Sequence, residues 1–125
     1  MSEPDFDLVA AELRADVVDL GAYVEALAAK LEGALPGLTE VERERRLRGP
    51  KRVRRIRVRL GERRYDLDRD GERVDTRCAH VVREVTVRNE DVPLEDWLDR
   101  LARDLVDHAS SSERGREALG RLLRR

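Results

Sequence analysis

The chain has 125 residues, of which 40% are hydrophobic, 42% charged and 3% aromatic, and its formal net charge is −1. That length suits one domain with a core of Leu, Val and Ala, and the near-zero charge excludes a global field drawing the chain to nucleic acid or anionic lipid. No apolar run is long enough for a membrane span, the acidic start (Glu3, Asp5, Asp7) lacks the basic region of a signal peptide, and a single cysteine, Cys78, excludes an internal disulfide framework. The expected compartment is the reducing cytoplasm, without membrane insertion.

The first element is an amphipathic helix. Phe6, Ala10, Leu13, Val17, Leu20, Val24, Leu27 and Leu31 keep an alternating four-three spacing, which draws one apolar seam along a helix. It should start near Pro4 or Asp5 and end at Gly33 or Pro36. Such a seam needs a cover, either the chain's own sheet or a second copy in a homodimer. Val9 and Tyr23 widen the stripe, which suits a sheet surface. Leu8 and Val18 are displaced from the seam and are candidate partner-binding residues.

A charged sheet follows. Residues 1–40 carry net −7, residues 41–64 net +9 and residues 65–125 net −3. Alternation and short turns (Leu47-Arg48-Gly49-Pro50, Gly61-Glu62, Asp70-Gly71) predict an antiparallel meander of four or five strands. The register those turns imply puts Val41, Ile56, Leu67 and Val74 in one apolar row and Thr39, Val58, Tyr65 and Thr76 in another. The other face then carries Glu42–Arg55–Asp68–Arg73 and Glu40–Arg57–Asp66–Asp75, so Arg55 and Arg57 each stand between carboxylates. Paired in this way, much of the basic block is neutralised by its neighbours. Arg43, Arg45, Arg46, Arg48, Lys51, Arg52 and Arg54 remain clustered at one hairpin end, as candidates for binding an acidic protein or nucleic acid. Only Lys30 and Lys51 among the 26 basic residues are lysines; this bias toward Arg lowers the weight of any one Arg cluster. A last strand is expected over Arg83 to Arg88, after a loop Ala79-His80-Val81-Val82. That places Val85 and Val87 inward, opposite Thr76 and Val74, with Glu84 meeting Arg77.

Two helices close the chain. Pro93 opens the first, with Glu95 and Asp96 in its first turn, and Leu94, Trp97, Leu98, Leu101, Ala102, Leu105, Val106 and Ala109 on its apolar face. Trp97 is expected to plug the core against the sheet. Ser110 and Glu113 fit a capping box for the last helix, whose stripe is Ala118, Leu119, Leu122 and Leu123.

Catalytic motifs are missing from this reading. Cys78 and His80 share a strand face, and His108 lies on another element; two ligands do not make a zinc site, and the glycines are scattered rather than gathered into a phosphate loop. No metal, cofactor or small-molecule substrate is expected. The fold class is α+β: a helix over 1–35, a sheet over 38–88 with a salt-bridged open face, and two helices over 93–125 packed on the other face. The expected function is a non-enzymatic protein-interaction module or adaptor, self-associating through its first helix or a sheet edge. The alternative is a nucleic-acid-associated regulator using the hairpin over 43–54.

Overall fold

The computed structural model describes residues 9–10, 20–44, 49, 51–111 and 113–123. Its elements are α1 (Leu20–Ala34), β1 (Thr39–Arg43), β2 (Val53–Leu60), β3 (Arg63–Asp70), β4 (Arg73–Val82), β5 (Val85–Asp91), α2 (Leu94–Ser111) and α3 (Glu113–Leu123). The strands form one antiparallel meander in the order β1-β2-β3-β4-β5. Helix α1 lies on β1 and β2, α2 on β4 and β2, and α3 against both helices.

The first helix is covered by its own chain over the described stretch. Tyr23, Val24, Leu27, Ala28 and Leu31 are buried, as are Val9 and Ala10, which are also helical. They join Ile56, Val58, Tyr65, Leu67, Trp97 and Leu101 in one core. Phe6, Leu13 and Val17 lie outside the described residues. Trp97 is fully buried, donates its indole N–H to the Arg77 carbonyl at 3.0 Å, and meets the Tyr65 ring edge-on at 6.1 Å. Helix α2 ends at Ser111 and α3 begins at Glu113; the side chains of the expected capping box lie outside the described residues.

The first two hairpins have the expected register. Thr39 faces Val58, Val41 faces Ile56, Val58 faces Tyr65 and Ile56 faces Leu67. On the open face, Arg55 Nε is 2.6 Å from Asp68, Arg57 Nε is 2.9 Å from Asp66, and Arg55 also reaches Glu42 at 3.6 Å.

The third hairpin corrects the expectation. The turn is Gly71-Glu72 rather than Asp70-Gly71, so Leu67 faces Thr76 and Tyr65 faces Cys78. A turn at Asp70-Gly71 of the primed type would need positive φ at both residues or at Asp70. One step along, that demand falls on glycine: Gly71 has φ +62°, as Gly61 has +61°. A one-residue move of the turn shifts each partner by two, so the inward face is kept. The charged row changes: Asp68 now faces Asp75 and Asp66 faces Arg77, in place of Asp68–Arg73 and Asp66–Asp75. Arg77 lies across from Asp66 and reaches Asp68 at 2.8 Å.

The fourth hairpin departs further. Strand β4 continues to Val82 and turns through Arg83-Glu84, both at positive φ (+52° and +66°), a conformation that costs side-chain-bearing residues about 1–2 kcal/mol each. In return, Ala79 and Val81, which a loop there would leave in water, are 4% and 2% exposed. Strand β5 therefore slides along β4: Val85 faces Val82, Glu90 faces Cys78 and Asp91 faces Arg77. Val85 and Val87 are not buried in the core as expected; they are 61% and 58% exposed. Glu84 meets Arg59, at 3.5 Å, rather than Arg77.

Candidate interaction site

Two residues of the Arg-rich hairpin end lie against the chain's own acids. Arg43 pairs with Glu32 on α1 at 2.9 Å, and Arg54 lies 3.7 Å from Glu42. Arg59, Arg63 and Arg64 lie within 3.5 Å of Glu84, Asp104 and Asp66. Ion pairing raises the Arg43 and Arg55 pKa: the hydrogen bond to Glu32 leads for the first, and that to Asp68 for the second. Lys51 and Arg52 are exposed. Leu8, Val18, Arg45, Arg46 and Arg48 lie outside the described residues. The structure thus brings Arg43 and Arg54 to acidic neighbours.

A different place gathers chemistry. Strand β5 is a sheet edge, with β4 on one side, and Val85 and Val87 on it are the large exposed hydrophobics among the described residues. A bulge opposite His80–Val81 makes Val87 the extra residue: Thr86 faces Val81 and Arg88 faces His80. Beside this edge, on the side where α2 lies, opens a cavity of about 700 Å³. It is lined by Arg63, Tyr65, Cys78, Ala79, His80, Val87, Arg88, Glu90, Arg100 and Arg103.

Local structure explains each placement. Alternation along β3 sends Arg63 and Tyr65 to the helix side, and the register brings His80 and Cys78 beside them. Arg100 and Arg103, three apart on α2, project from neighbouring positions on the helix surface. Arg100 spans to β5, with Nη1 2.9 Å from Glu90. The Tyr65 hydroxyl donates to Asp104, which also holds Arg63 at 3.1 Å, and lies 3.3 Å from the Arg100 carbonyl. Arg100 and Arg63 therefore stand against the carboxylates of Glu90 and Asp104, with Arg88 and Arg103 also in the lining.

The titration directions suit holding an anion better than making a nucleophile. Burial pushes the Cys78 thiol upward, against the opposing charge of Arg100. Burial, then the hydrogen bond to Asp104, raises the Tyr65 hydroxyl far above its usual range. The Arg100 hydrogen bond holds Glu90 below the ordinary carboxylate range, so it stays ionised. At neutral pH the cavity offers guanidinium donors, a thiol and a phenol. His80 Nε2 lies 3.4 Å from Glu62. Cys78 and His80 share the cavity, as their spacing suggests, but among the described residues no group of three or more His, Cys, Asp or Glu is placed to hold a metal ion. Among the same residues no helix is long and apolar enough to cross a membrane.

The sequence reading missed Arg63, Arg88, Arg100 and Arg103 because it misplaced β5. One signal was available: in a meander the last strand is an edge by topology, so apolar residues on it deserve suspicion. Comparison with protein-family models, curated proteins and solved structures finds no match for the chain.

Proposed function

We propose that the protein is a non-enzymatic interaction module that takes an extended segment of a partner protein onto β5 as a sixth strand. The observation that carries this reading is the pair Val85 and Val87, well over half exposed and side by side near the start of an edge strand. Exposed β-branched residues on an unpaired edge invite strand addition; main-chain hydrogen bonds then supply affinity and alternate side chains supply specificity. The nucleic-acid alternative has less support, because Arg43 and Arg54 lie against Glu32 and Glu42.

The test is selection of a displayed library of random ten-residue peptides against the full chain, followed by amide hydrogen exchange of each complex. Selected peptides should slow exchange in Val85–Asp91 and lose binding at least tenfold to V85K/V87K. Peptides that leave β5 exchange unchanged, or that bind the double variant equally well, would remove the reading. So would a library that yields no binder.

A further inference from the structure

The interaction reading leaves the partner open, and the residue pattern of β5 names one. Resting on that reading, we infer that the segment added to β5 is the β5 strand of a second copy of the chain, paired antiparallel about Asn89.

The outer row of backbone groups fixes which residues can pair. Val92 donates its N–H to the Thr76 carbonyl at 3.0 Å, in line with the register that pairs Glu90 with Cys78 and Arg88 with His80. Hydrogen-bonding direction alternates along an antiparallel strand, so Arg88 and Glu90 turn toward β4, and Asn89 and Asp91 toward the open edge. Beyond the bulge at Val87 the phase resets. Val81 donates to the Glu62 carbonyl, on the β3 side of β4, at 2.6 Å, so Thr86 opposite it turns to the open edge as well. Thr86, Asn89 and Asp91 are therefore the residues an added strand can bond.

A twofold axis normal to the sheet at Asn89 joins these residues to one another. Asn89 then pairs with its own counterpart, and Thr86 pairs with Asp91 in both directions, each bulge absorbing the extra residue. The same register sets Arg88 across from Glu90 of the second copy, twice. These are the close, non-hydrogen-bonded positions of the new ladder, where opposite charges attract most. Val85 comes opposite Val92. Other centres fail. At Arg88 or Glu90 the axis sets like charges face to face. At Asp91 it does the same and places Asn89 opposite Pro93, which has no N–H. At Thr86 it runs Asn89 onto the Arg83-Glu84 turn.

The attraction comes from this strand pattern and needs no surplus charge in the cavity. Arg63 is held by Asp104 at 3.1 Å, Arg100 by Glu90 at 2.9 Å, His80 lies 3.4 Å from Glu62, and Arg103 has a partner of its own. Glu90 accepts from Arg100 and from the incoming Arg88 together, since a carboxylate has two oxygens. Room for the second copy follows from the position of α2, which lies on β4 and β2. From β4 of one copy to β4 of the other is three strand spacings, about 14 Å, against a helix width of about 10–12 Å. The two α2 helices fit side by side, with the two cavities facing each other across the joined edge.

Sedimentation velocity of the full chain, with two single charge reversals, tests the pairing. The wild-type chain should form a dimer that V85K/V87K dissolves. R88E sets acid against acid and E90R base against base, so each should weaken its own dimer by about tenfold or more. Mixed in equal amounts, the two variants should dimerise with each other, because acid then meets base at both positions. Misfolding does not produce such a gain. A mixture no better than its components would overturn the inference, and so would a wild-type chain that stays monomeric. A dimer indifferent to V85K/V87K and to both reversals would place self-association elsewhere and overturn it too. R88E keeps both valines and the outer backbone groups, so the peptide selection run on that variant decides the edge reading separately.

Discussion

Strands β1 and β5 are the two ends of one meander, and they differ in how their outer rows of backbone groups are protected. Strand β1 is five residues long, carries Glu40, Glu42 and Arg43, and has a register break between Glu42 and Arg43. Helix α1 also ties it down: the Thr39 hydroxyl donates to the Leu31 carbonyl at 3.2 Å and Arg43 pairs with Glu32. Short length, charge and a bulge are the usual means by which an edge repels unwanted strands. Strand β5 is seven residues long, and α2 reaches it through the Arg100–Glu90 pair. Its last residues are charged as well, so the contrast is concentrated at Val85 and Val87. A sheet that guards one edge and leaves valines on the other supports a use for the second. The two ends also hang from different helices, and that makes the contrast testable.

The largest effect should come from Trp97, through which α2 grips β4. Trp97→Ala removes a fully buried indole and its hydrogen bond to Arg77, and should cost about 3–5 kcal/mol in urea unfolding. A loss below about 1 kcal/mol would mean that the β5 half stands without α2. At the other end, Glu25 on α1 accepts the Val53 N–H at 2.7 Å and lies 3.8 Å from Arg69. Glu25→Ala leaves that N–H, beside the β1–β2 register break, without its acceptor and should cost about 1–3 kcal/mol. Hydrogen exchange should quicken in β1 and β2 and stay unchanged in β5. Faster exchange at both ends would merge the two into one cooperative unit.

Much of this architecture was legible before the structure, and the reason differs by hairpin. The β1–β2 and β2–β3 registers could be read because apolar and ionic rows agreed and Gly61 admitted one turn. At Asp70-Gly71 two turns were compatible with the same inward face, so alternation could not separate them; the positive φ demanded of one residue did. The last hairpin gave no turn signal. Arg83-Glu84 adopts a conformation usually left to Asn and Gly, held by burial of Val81, one strand pair away from the turn. That tertiary influence moved β5, and with it the cavity residues, beyond the reach of local pattern. Arg88, Arg100 and Arg103 looked like ordinary surface charge because nothing in their spacing announced a common space.

Relieving that turn sharpens the contrast with a smaller effect. R83N/E84G supplies residues suited to positive φ at both positions and should stabilise the fold by about 1 kcal/mol, read from the urea midpoint. Since the edge itself is untouched, peptide capture at β5 should not change. Destabilisation would show that the contact between Glu84 and Arg59 outweighs the backbone strain.

The smallest effect at neutral pH belongs to the ionic ladder between the two edges, and it appears on acidification. Burial alone would raise the Asp68 carboxyl, but the hydrogen bond and charge of Arg55, with those of Arg77, outweigh it and hold Asp68 below the ordinary range. A carboxylate with a depressed folded-state pKa contributes its stability above the unfolded value of about 3.9, and loses it as pH falls through the folded value. The stability gap between the wild-type chain and Asp68→Asn should therefore be constant from about pH 5 upward and shrink below about pH 4. A gap independent of pH would assign the loss to packing or hydrogen bonding rather than to charge. Because Asp68 faces away from the cavity, in the middle of the open face, the substitution should leave peptide capture at β5 unchanged at neutral pH. If it weakens capture, the ladder transmits register to β5, and the edge depends on the whole sheet rather than on its last hairpin.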